Sequence, residues 1–129
     1  MIDVLLPIRT WSEANLRGHW AKRARRAQKQ REAARLLVRA ARSALPKSGT
    51  VAITLTRIAP RVLDTDNLAS AMKAVRDGVA DALGVDDGSS RLAWRYAQER
   101  GKPRQYAVNV VIHAVSAARA DQEGVDAGT

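Results

Sequence analysis

Acidic residues frame one short run of this chain. Asp64 and Asp66 stand two apart in LDTDN, residues 63–67, and Asp86 and Asp87 stand together in VDDG, residues 85–88. Lys73, Asp77 and Asp81 lie between them. Carboxylates two apart on an extended backbone point to the same side. Held that close they repel, and one takes up a proton unless a cation compensates. The natural cation is Mg2+, with Mn2+ as the alternative: a hard ion that accepts one or two carboxylates, keeps several waters and takes phosphate oxygens from a substrate. Such an ion lowers the pKa of a bound water and neutralises charge on a phosphodiester. Structural roles compete with this chemistry. Asp66 would cap a helix, Asp64 would open a turn, DDG would be a loop, and Asp77 would pair with Lys73 across one helical turn.

The rest of the chain supplies the opposite charge. It has 22 Lys and Arg against 13 Asp and Glu in 129 residues, a formal charge of +9. Residues 1–60 carry 13 basic residues and only Asp3, Glu13 and Glu32, whereas residues 61–129 carry 9 basic against 10 acidic. An excess confined to one segment is the electrostatic footprint of a polyanion binder. With no cysteine, disulfides and thiolate zinc sites are excluded. No apolar run reaches the roughly 20 residues of a membrane span, and the first residues lack the pattern of a signal peptide. The expectation is a soluble, cytoplasmic protein with no membrane partner and no nucleotide cofactor.

The elements that must position these groups follow from periodicity. Residues 2–9 read as a strand ending near Pro7. From His19 to about Leu45 there is neither proline nor glycine, which predicts a long helix. On that helix Lys22, Arg25, Arg26 and Lys29 share one face, with Arg23 beside them. Arg31, Arg35, Arg39 and Arg42 form a second stripe, and Ala34, Leu37, Val38, Ala41 and Leu45 an apolar face for the sheet. The first five cations are the candidate DNA contacts, giving affinity through phosphates without reading sequence. Trp20 reads as closing the end of the core, with base stacking by the His19–Trp20 pair as the alternative; His113 reads as structural.

TVAITLTRIA, residues 50–59, alternates and is β-branched, a strand. A second helix runs from about Asp66 to Leu83 and is stopped by Gly84, with Leu68, Met72, Val75, Val79 and Leu83 as its buried stripe. RLAWRYAQE and QYAVNVVIHA, joined by RGKPR, read as an antiparallel hairpin. Residues 116–129 have no apolar periodicity and are expected to be disordered. The result is a single α/β domain over residues 1–115, in the order β-α-β-α-β-β, its mixed sheet covered by two helices.

The run from Asp64 to Asp87 resembles the RusA family of Holliday junction resolvases in Asp64, Asp66, Asn67 and KAVRDGVADALGVDD. NLRGHW is similar to some phage members. The resemblance implies a homodimeric, Mg2+-dependent endonuclease acting on branched DNA, with Asp64, Asp66 and Asp87 as metal ligands and Lys73 as the active-site lysine. The commoner family pattern sets its lysine four residues after the second aspartate, which here is Ser70. Lys73 keeps nearly the same helix face about 4.5 Å further along. A straight helix from residue 66 to 83 spans roughly 27 Å, so Asp87 reaches Asp66 only if the helix breaks, with Gly78 the weak point, or if a second copy runs antiparallel. The dimer is the favoured expectation, because paired symmetric nicks need two identical sites.

Overall fold

The computed structural model describes residues 1–11, 20–41 and 49–115. The expected disordered tail, His19, Arg42 and Leu45 lie outside these residues. The elements are β1 (Ile2–Leu6), α1 (Trp20–Ala41), β2 (Thr50–Ala59), α2 (Thr65–Leu83), β3 (Leu92–Arg100) and β4 (Ala107–Val115). The expected β-α-β-α-β-β order and two-helix α/β architecture are what the fold shows.

The four strands form one mixed sheet in the order β1-β4-β2-β3. β2 is parallel to β3, pairing Val51 with Leu92 through Ala59 with Arg100, and antiparallel to β4 on its other side. The expected β3–β4 hairpin is therefore incorrect: β2 lies between them. Composition gives the physical reason. AVNVVIHAV buries Val108, Val110 and Ile112 and suits an inner position, whereas LAWRYAQER carries three charges and suits an edge. Residues 101–106 make the crossing, with Gly101 N–H donating to Ala59 O at 2.8 Å.

β2 alternates strictly. Val51, Ile53, Leu55, Arg57 and Ala59 are buried, while Ala52, Thr54 and Thr56 on the other face stay half-exposed. The buried face joins Leu6, Val110 and Ile112 to Val38, Met72, Val75 and Val79 in one core beneath the two helices. The apolar stripe of α2 is buried as expected except Leu83, which is half-buried against the core. The face of α1 is narrower than its sequence suggests. Ala34 and Val38 are buried, but Leu37 and Ala41 are exposed, because α1 packs on α2 and β1 rather than flat on the sheet.

Gly78 sets that packing. A Cβ there would meet Arg31 O at 2.2 Å and Ala34 Cβ at 2.8 Å, so the helices approach backbone to backbone. Gly78 does not break α2, which is continuous from Thr65 to Leu83. Beside this contact, Arg31 donates to Asp81 through Nε (2.7 Å) and Nη2 (2.9 Å). That pair holds the Asp81 carboxyl below the usual carboxylate range.

Gly78→Ala separates these effects. Helix propensity alone would favour alanine by about 1 kcal/mol, whereas overpacking costs about 1–3 kcal/mol. Denaturant unfolding should show a net loss of up to about 2 kcal/mol. A more stable variant would contradict the close approach.

Candidate functional site

Asp64 ends the loop before α2 with extended backbone (φ −69°, ψ 169°), and its Oδ1 accepts from Asn67 N–H at 2.9 Å. It is the N-cap, satisfying one of the free amides of the first turn. The capping role expected of Asp66 belongs to Asp64. Thr65 and Asp66 are already helical, so the two carboxylates do not take the same-side arrangement of an extended pair. Asp66 is exposed in the first turn, where the helix dipole favours a negative charge by about 0.3–1 kcal/mol. Among the described residues its carboxylate makes no hydrogen bond or ion pair.

The loop that carries Asp64 is held from β3. Gln98 Oε1 accepts from Leu63 N–H and Gln98 Nε2 donates to Leu63 O, both at 2.7 Å. Sequence reasoning missed Gln98. Its only signal is an amide in a strand, and an amide can satisfy one backbone N–H and one C=O together.

Asp87 lies beyond the other end of α2, past Gly84, which takes the left-handed conformation (φ 69°) and ends the helix. Arg76 organises it. Arg76 Nε is 3.3 Å from Asp87 Oδ2, an ion contact rather than an aligned hydrogen bond, and Arg76 Nη2 donates to Asp87 O at 3.1 Å. Trp94 Nε1 donates to the same carbonyl at 2.9 Å. Arg76 Nη1 donates to Tyr96 Oη at 2.9 Å, and its guanidinium lies 4.7 Å from the Trp94 ring centroid. This arrangement, built from one helix and two β3 aromatics, was not foreseen from the sequence. Asp86 accepts from Gly88 N–H at 3.2 Å and shapes the turn.

Lys73 is exposed, with Nζ 3.6 Å from Asp77 Oδ1, so the expected one-turn pair forms. Ser70, Lys73 and Asp77 line a groove of about 350 Å³ between α1 and α2, with Gln28 and Arg31 opposite. The structure brings Asp64 and Asp66 to one end of α2 and leaves Asp87 at the other. Among the described residues, no three His, Asp or Glu side chains converge within one chain.

The candidate DNA contacts divide as well. Lys22, Arg23, Arg25 and Lys29 are exposed on the first half of α1, whereas Arg26 lies with its guanidinium 4.9 Å from the Trp11 ring. Of the second stripe, Arg31 pairs with Asp81 and Arg35 with Glu32. Trp20 is 70% exposed and does not close the core. His113 is half-buried in β4, on the sheet face away from the helices.

The strand registers set where these groups stand. β1, β2 and β3 finish at one end of the sheet, where β4 begins. Asp64 and Asp66 belong to that end, together with Arg61, Arg100, Lys102 and Arg104. Asp87 belongs to the opposite end, where β2 and β3 begin. No helix among the described residues is long and apolar enough to cross a membrane.

No family model matches the chain. It is 37% identical over 78 residues to a protein of Xylella fastidiosa (strain Temecula1) described as uncharacterized, a match covering 57% of this chain and 51% of that protein. The chain thus matches about half the length of this relative.

Substitution at Asp64 separates capping from charge. Asparagine caps as well as aspartate, while alanine loses about 1 kcal/mol. Asp64→Asn should unfold at the wild-type denaturant midpoint and Asp64→Ala at a lower one. Equal destabilisation would mean that the charge itself, not the cap, holds this loop.

Proposed function

We propose that this protein is a RusA-type, Mg2+-dependent endonuclease that cuts branched DNA, four-way junctions above all, as a homodimer. The observation that carries the reading is the state of Asp66. It is an exposed carboxylate without a partner among the described residues, two residues from the Asp64 cap, at the end of the sheet where cations gather. An acid in that setting is left free in a chain of net charge +9.

Asp64 and Asp66 suit a hard divalent ion in donor chemistry, because Mg2+ is commonly held by one or two carboxylates with waters and substrate phosphate. When bound, Mg2+ supplies an acidified water and neutralises charge on the scissile phosphate. The chain's own residues do the rest. Gln98 holds the loop before Asp64, the exposed cations on the first half of α1 take phosphates of the DNA arms, and Lys73 lies about two turns beyond Asp66 on the same helix. Asp87 lies too far along α2 to join them within one chain. An antiparallel second copy would bring it beside Asp64 and Asp66 and create two equivalent sites.

A second reading has its own observation. Asp64 caps, Asp81 pairs with Arg31 and Asp87 is held by Arg76, so most of the acids have structural work. A DNA-binding protein without catalysis would look the same. One assay separates the two: purified protein with a synthetic four-way junction, a flap and a linear duplex, with and without Mg2+. The nuclease reading expects Mg2+-dependent cutting of the junction, abolished by Asp66→Asn while junction binding persists. Binding without cutting under every condition supports the second reading. Full activity of Asp66→Asn in Mg2+ removes Asp66 from the metal site.

A further inference from the structure

One corner of the molecule gathers cations and rings that the acids do not use. Arg9, just beyond β1, has its guanidinium 4.1 Å from the Tyr106 ring centroid and 5.0 Å from that of Trp11. Ring contacts hold a guanidinium by its face and leave its N–H edge available. Among the described residues, neither Arg9 nor Lys29 has a hydrogen-bond or ion-pair partner for its side chain. The backbone beneath is fixed, because the buried Gln30 side chain donates to Arg9 O at 2.8 Å.

Arg57 adds a buried charge. It is 7% exposed, with Nε donating to Thr10 Oγ1 at 3.1 Å and Nη1 to Arg61 O at 2.7 Å. These acceptors are neutral. Burial lowers the Arg57 pKa; Tyr106 opposes this, and the charge of Arg9 adds a smaller push downward. A buried cation with neutral partners leaves positive potential at the surface above it. Among the described residues, no acidic side chain pairs with Arg9, Lys29 or Arg57.

A cavity of about 430 Å³ opens here, lined by apolar Pro7, Ile8 and Ala33 and by cationic Arg9, Arg26 and Lys29. Its size falls within the roughly 300–1,000 Å³ of small-ligand sites. The Arg57–Arg61 hydrogen bond ties it to the loop leading into Asp64 and Asp66. Duplex phosphates lie on a convex surface, which the exposed cations of α1 meet without any cavity. A concave pocket with an apolar wall and an available guanidinium instead fits a nucleotide that has left its stack.

We propose that this pocket binds an unpaired nucleotide of branched DNA, its phosphate on Arg9 and Lys29 and its base or sugar against the apolar wall. The identity of the polyanion rests on the nuclease reading; the pocket itself does not. The test is fluorescence anisotropy in EDTA, with a labelled continuous duplex and the same duplex interrupted by a short unpaired bulge. Wild-type protein should prefer the bulged DNA. Arg9→Ala, whose folding is checked by its unfolding midpoint, should bind bulged DNA about tenfold more weakly and continuous duplex less than about twofold more weakly. Arg39→Ala, an exposed cation near the other end of α1, should spare the preference. Arg9→Lys keeps the charge but loses the flat ring contact and should recover only part of it. Equal losses on both DNAs, or no loss on either, overturn the proposal. Because no metal is present, the two readings fail separately. A protein that prefers bulged DNA but never cuts keeps the pocket and loses the nuclease. A protein that cuts junctions with Arg9→Ala binding unchanged keeps the nuclease and loses the pocket.

Discussion

At Gly78 the backbone of α1 comes against α2, and the placement of both charge systems follows from that contact. A side chain at this point would collide with Arg31 O, so the approach depends on having none. The contact lays the basic helix along the acidic one in a single layer, with Arg31 and Asp81 locking the pair at its edge. It also leaves α2 whole. A continuous helix of 19 residues is a rigid spacer of roughly 27 Å, and it keeps the acids at its two ends apart. The glycine read from the sequence as a point of weakness is a point of contact.

Much of the architecture was legible because it rests on local periodicity. The alternation of residues 50–59 gave β2 its full length, and the stripe from Leu68 to Val79 gave α2 its buried face. The hairpin was misread because strand adjacency is not local. RGKPR looks like a turn, yet the apolar character of Ala107–Val115 draws that strand inward, on the far side of β2. The charges of β3 were the available signal for an edge. The narrow apolar face of α1 was also hidden, since periodicity shows which residues are apolar but not how far a neighbouring helix covers them.

The site was legible in residue type and not in connection. Asp64 and Asp66 stood out by spacing, but which of them caps depends on where the first helical turn closes, a matter of two residues. The contacts that hold Asp87 and Leu63 come from Arg76, Trp94 and Gln98, whose pairing no spacing in the sequence announces. The cation and ring cluster around Arg9 is of the same kind. It joins the end of β1, the start of β4 and the middle of α1, and only the folded sheet brings these together.

Charge gives the molecule its polarity. Cations collect where β1, β2 and β3 finish, and Asp64 and Asp66 stand among them, while Asp87 sits at the far end under the control of Arg76. Acids held apart at the two ends of a rigid spacer would share one ion only across two chains, as the proposed nuclease requires. The direct test mixes Asp64→Asn/Asp66→Asn subunits with Asp87→Asn subunits, verifies that they exchange, and measures single-strand nicking of a four-way junction in Mg2+. Antiparallel copies put all the substitutions into one site of each mixed dimer and leave the other wild type, so nicking should return although neither parent cuts. A mixture as inactive as its parents, or an Asp87→Asn parent that cuts unaided, would contradict a site shared between subunits.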